Sequence, residues 1–195
     1  IYILDDEFGY WANAAWLIGC DWKSAMQNVS YYGVGYSFIL APILAFFNDP
    51  VLVYRIAVII NSLMLGCIFI IIQHVLKAIL KEENEFIKWG IAVSLTMYSG
   101  YLLYTNFSWP EILISLLSWA VIYLVILTVK TNHSNKHIFL FALCTGYLYI
   151  IHQRLLGLVV SSIIFIVVLF KFKKITRKEL ALFLTTLLVM LILQV

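Results

Sequence analysis

Three carboxylates stand side by side near the start of the chain, Asp5, Asp6 and Glu7, with an apolar run before them and Phe8 and Tyr10 behind. Acids packed this tightly repel one another, which suits a general base, and a pair of them is also an oxygen ligand set for a divalent cation. The plainer reading is a helix start, in which Asp5 or Asp6 caps a helix running from Phe8, and spacing alone favours that cap. Glu111 follows Trp109 and Pro110, an ordinary helix opening, at what should be the same end of the molecule as the acid cluster. Arg154 lies in the segment IHQRLLGL, between two short apolar runs. A charge placed there is costly and marks a site or a partner, and a guanidinium suits a phosphate. Snorkelling to headgroups explains it equally well, and a lone interfacial histidine such as His152 is more often structural. No His/Cys set has zinc spacing, so a divalent metal is conceivable at the acids but not indicated.

The elements that must position these groups are apolar. Of 195 residues 64% are hydrophobic and only 12% charged, with a mean hydropathy of +0.99. A soluble domain of this length carries about twice that share of charge. The chain therefore reads as an all-α integral membrane protein, a multi-span bundle with spans at about 51–76, 86–105, 110–129, 138–151, 155–170 and 179–195. The segments on either side of His152-Gln153-Arg154 are short, roughly 20 to 25 Å each as helix, and are expected to form a hairpin, since one continuous helix would be roughly 50 Å. Cys20, Cys67 and Cys144 have no disulfide or metal spacing and read as buried free thiols. His74, Gln73 and Asn61 lie within a span and are explained by interhelical hydrogen bonds. The chain opens and closes inside apolar runs, so it is expected to be the N-terminal part of a longer protein whose C-terminal part is missing.

Basic residues set sidedness. The hairpin reading gathers Lys77, Lys81, Lys88, Lys130, Lys136, Lys171, Lys173, Lys174, Arg177 and Lys178 on one side, ten of the thirteen lysines and arginines. The other side keeps Lys23, Arg55 and Arg154 with Asp5, Asp6, Glu7, Asp21, Asp49 and Glu111. Residues 5–50 then form an outer loop with two interfacial helices, at 8–20 and 33–47, whose rings Tyr10, Trp11, Trp16, Tyr31, Tyr32 and Tyr36 sit at headgroup level.

This order of features resembles the GT-C class of membrane glycosyltransferases, and especially the protein O-mannosyltransferase and aminoarabinose transferase group. An Asp-Glu motif followed by Tyr marks the first outer loop of that family, and Asp6-Glu7 with Tyr10 fits it. The stretch Tyr32-Gly33-Val34-Gly35-Tyr36 replaces the family's Pro-Pro-x-Tyr. Arg55 matches an Arg that opens a span, Glu111 a second acidic position, and Arg154 with Gly157 a hairpin of short helices. The resemblance implies a GT-C bundle that moves a sugar from a polyprenyl-phosphate donor to an acceptor at the outer membrane face, with inversion. Asp6 or Asp5 would be the base, with Glu7 and Glu111 orienting the acceptor or the acid. Arg154 would hold the lipid phosphate, with Tyr10, Arg55 and His152 also on the substrate side. The implied partners are the lipid donor, membrane lipids and an unidentified acceptor, with no nucleic acid and no cofactor. The Ile/Lys/Asn-rich composition favours a bacterial plasma membrane over the endoplasmic reticulum. The rival readings are a transporter or flippase of lipid-linked sugars, or a non-catalytic membrane subunit.

Overall fold

The computed structural model describes residues 5–20, 22, 32–81, 84–131 and 134–193, and of Asp5 and Asp6 only the backbone. Among them every regular element is helical: α1 (Asp5–Leu17), α2 (Ser37–Phe46), α3 (Pro50–Ile79), α4 (Glu85–Thr96), α5 (Ser99–Tyr104), α6 (Glu111–Lys130), α7 (Asn135–Ile151), a 3₁₀ turn (Gln153–Leu155), α8 (Leu156–Lys171) and α9 (Arg177–Ile192). Asp21, Lys23 and Tyr31 lie outside the described residues.

Three helices are long and apolar enough to cross a membrane, Pro50–Ile79, Glu111–Lys130 and Gln153–Lys171. The first starts sharply because Asp49 accepts from the Val51 amide at 2.9 Å and Pro50 needs no partner at the first helical position. Its buried face, Val53, Ala57, Asn61, Leu65, Ile68 and Ile72, repeats at three and four residues and packs against α6. The shorter α7 is enclosed by α6, α8 and α9, and Gly146 lets α9 close in, since a Cβ there would lie 2.4 Å from Met190 Cβ. The expected hairpin is present. α7 ends at Ile151, the 3₁₀ turn follows, and α8 packs back with the Thr145 and Ser162 hydroxyls 3.4 Å apart.

Several expectations need correction. Residues 86–105 are not one helix. α4 stops at Thr96 and α5 begins at Ser99, with Met97 and Tyr98 between them. The carboxylates Asp5, Asp6 and Glu7 lie inside the first turn of α1, so none of them caps a helix starting at Phe8. Tyr10, Trp11 and Tyr36, expected as interfacial rings, are buried within the protein; α1 and α2 pack on each other and on α3, and these rings fill the seam. Trp16 alone of the described α1 rings singled out for the interface is well exposed, at 59%. The cysteines are unpaired, but Cys20 and Cys67 are exposed, the latter on the outward face of α3.

Candidate functional site

Glu7 anchors the site. On α1 it shares the buried face with Tyr10, Trp11 and Ala14, at three-, four- and seven-residue spacing, and its side chain is wholly buried. Its Oε1 accepts from the Tyr54 hydroxyl at 2.8 Å and from the Ser108 amide at 2.6 Å. A buried carboxylate is tolerable only with such donors. The two bonds tie α1 to α3 and to the loop that opens α6. Asn61 holds the same loop from α3, donating to the carbonyls of Phe107 at 2.7 Å and Trp109 at 3.1 Å, while its Oδ1 accepts from the Tyr36 hydroxyl at 3.1 Å. Burial pushes the Tyr36 phenol well above its ordinary value, and the charges of Glu7 and Glu111 push the same way. Tyr36 is therefore a neutral donor.

The loop held in this way carries Trp109, Pro110 and Glu111 to a cleft of about 80 Å³ that Tyr10, Tyr32, His152 and Arg154 complete. His152 is buried at the break after α7, and its Nδ1 accepts from the Arg154 amide at 3.2 Å and from Arg154 Nε at 3.4 Å. An accepting Nδ1 requires the neutral ring with its proton on Nε2. The imidazole thus steers the guanidinium at the rim of the cleft.

A strap of chain from Tyr32 to Tyr36 clamps this end of α7. The Gly35 amide donates to the Ile150 carbonyl at 3.1 Å, and the Tyr147 hydroxyl donates to the Gly35 carbonyl at 2.7 Å. Gly33 lies so close that a Cβ would sit 2.1 Å from the Ile150 oxygen, and one at Gly35 would sit 2.7 Å from the Ile151 side chain. On the other side the Tyr32 ring fills the space over Gly9, Asn13 donates to the Tyr32 carbonyl at 2.9 Å, and Ser37 donates to the Tyr10 carbonyl at 2.8 Å. The strap therefore joins the helix that bears the acids to the turn that bears Arg154.

No protein-family model, curated protein or solved structure matches this chain.

The residues expected to share a site divide clearly. Glu111, Arg154, His152 and Tyr10 line one cleft, and Glu7 is the buried tether behind it. Arg55 is exposed on α3 and lines neither this cleft nor the groove described next. Among the described residues no three potential metal ligands converge. Tyr54, Ser108, Asn61 and the Gly33–Gly35 strap escaped sequence reasoning as site residues. Asn61 had the one usable signal, an amide in an apolar span. A larger groove, about 390 Å³, opens on the far side of Tyr54, between Phe8 and Trp11 of α1, Leu44 of α2 and Pro50 and Val53 of α3. Its lining is almost wholly apolar and aromatic.

Proposed function

We propose that the chain belongs to a multi-pass membrane glycosyltransferase of the GT-C type, which moves a sugar from a polyprenyl-phosphate donor to an acceptor hydroxyl. The observation that supports this most is the small cleft lined by both a carboxylate residue, Glu111, and a histidine-steered arginine, Arg154, at one end of an apolar bundle. A cation there suits the phosphate of the donor. The apolar groove beside Tyr54 offers room for an isoprenoid chain. The Asp-Glu order with Tyr10 behind it supports Asp6 as the base.

In this reading Asp6 takes the proton of the acceptor hydroxyl as its oxygen forms a bond to the anomeric carbon. The bond from that carbon to the phosphate oxygen breaks, its electron pair leaves with the phosphate, and the configuration inverts. Arg154 stabilises the charge gathering on the leaving phosphate, and Glu111 orients the acceptor. Glu7, which has no solvent access, positions the loop and does not exchange protons with substrate. The bundle lies in a bacterial plasma membrane, with the Glu7–Arg154 end outward and the ten clustered basic residues inward.

The test is sugar transfer or sugar release from undecaprenyl phosphate carrying glucose, mannose or aminoarabinose, by the full-length protein in proteoliposomes. Asp6→Asn should lower the rate by about a hundredfold or more, while Asp5→Asn retains it. Full activity in both variants, correctly inserted, would make the assignment wrong.

A further inference from the structure

We propose that the turn between α8 and α9, at the end of the bundle opposite the cleft, is a binding surface for anionic phospholipid headgroups. Lys171, Lys173, Lys174, Arg177 and Lys178 fall within eight residues, all exposed. None of them enters an ion pair among the described residues; the bridges there join Glu85 to Lys77 and Lys88. The nearest acid in sequence, Glu179, is buried, and its Oε2 accepts from the Thr176 amide at 2.7 Å and the Thr176 hydroxyl at 2.9 Å in a capping box. Its carboxylate holds the start of α9, and among the described residues the five cations have no ion-pair partner.

The turn that carries them is well defined. The Lys174 amide bonds the Leu169 carbonyl at 2.9 Å and the Lys173 amide bonds the Phe170 carbonyl at 3.0 Å, the pair of bonds of a Schellman ending. Buried Ile175 pins the turn to the core of α7, α8 and α9. Lys173 occupies the left-handed position of that motif, with φ +55°, where glycine is the usual residue. A lysine at this position sacrifices backbone comfort for a charge.

The surroundings select the partner. Phe172 stands 74% exposed between the lysines, and the helices on either side turn Val160, Ile164, Val168, Leu184 and Leu188 outward. A soluble polyanion would neutralise the lysines but leave these apolar faces bare. A phospholipid covers both, with its phosphate at the height of the turn and its chains along α8 and α9. The proposal does not depend on the cleft at the other end, roughly 25 Å away along α8.

The test uses the purified full chain in neutral detergent, titrated with phosphatidylglycerol or phosphatidylcholine and read by native mass spectrometry. Phosphatidylglycerol should bind about tenfold tighter, and replacing Lys171, Lys173 and Lys174 with Gln should remove most of that preference. Replacing Lys77 and Lys81 with Gln removes charge from the α3 edge of the same end and should leave it in place. Lys173→Gly should raise the melting temperature, by relieving the left-handed lysine, and still weaken the preference. Equal affinity for the two lipids, or an equal loss in the Lys77 and Lys81 control, would overturn the assignment. So would binding of polyglutamate in place of phosphatidylglycerol, which would mark the turn as a site for an acidic protein.

Discussion

At the scale of single residues, Glu7 separates two jobs that a run of acids leaves entangled. Its carboxylate faces the Tyr54 hydroxyl and the Ser108 amide, and its side chain is sealed from solvent. Removing it strands the buried Ser108 amide and the half-buried Tyr54 hydroxyl, so Glu7→Ala should cost about 3 kcal/mol of stability, and Tyr54→Phe about 1 kcal/mol, by chemical denaturation in detergent. Tyr36 supplies a pH dependence. The fold holds its phenol neutral beyond the ordinary value of 10.0, so the stability it contributes is whole below that pH and declines as pH climbs through it. Tyr36→Phe should flatten the alkaline part of a melting-temperature profile, at the cost of the bond to Asn61. None of this was legible from spacing. Three adjacent acids look alike in a sequence, and only packing shows that Glu7 lies on the buried stripe with Tyr10, Trp11 and Ala14.

At the scale of elements, the glycine strap decides how the acidic helix meets the arginine turn. Gly33→Ala would drive a Cβ into the Ile150 carbonyl, so backbone must move; a loss of about 2 kcal/mol or more is expected. Gly66→Ala and Gly157→Ala sit in open space on helices, and each should be neutral or stabilising by up to about 1 kcal/mol in the same assay. The contrast makes close approach, not glycine content, the cause. Helices α3, α6, α7 and α8 were readable to within a few residues because their apolar runs are long and bounded by Pro50, Glu111, Ser134 and Lys171. The break at 97–98 was not, because the apolar residues on either side carry the run across Met97 and Tyr98 without a proline or charge to mark it. Gly33 and Gly35 likewise read as the start of an interfacial helix at 33–47, whereas α2 begins at Ser37, since the contacts that make them a strap lie more than a hundred positions away.

At the scale of the whole molecule, Glu7, Glu111 and Arg154 collect at one end, Glu7 through the Ser108 amide and the other two in one cleft, while Lys77, Lys88 and Lys130 gather round the C-terminal end of α3. At that second end Lys130 donates to the Ala78 carbonyl, Lys88 lies 2.5 Å from Glu85, and the α8–α9 turn carries its five cations. Charge counting along the sequence anticipated a basic end, but it could not foresee that α1 and α2 bury their aromatic faces against α3. If the bundle spans a bilayer as proposed, single cysteines at the exposed positions 106 and 174, with Cys20, Cys67 and Cys144 replaced by Ser, should be labelled by an impermeant maleimide from opposite faces. Labelling of both from one face would reverse that topology.

The central claim is that Arg154, and not the other outer-end arginine, holds a lipid phosphate in the cleft shared with Glu111 and His152. Binding of undecaprenyl phosphate to the full-length protein in nanodiscs measures it most directly. Arg154→Gln should weaken binding by about tenfold or more, since a charge-assisted contact to phosphate is lost, while Arg55→Gln leaves the affinity within about twofold. Unchanged affinity in Arg154→Gln, or a larger loss in Arg55→Gln, would contradict the account.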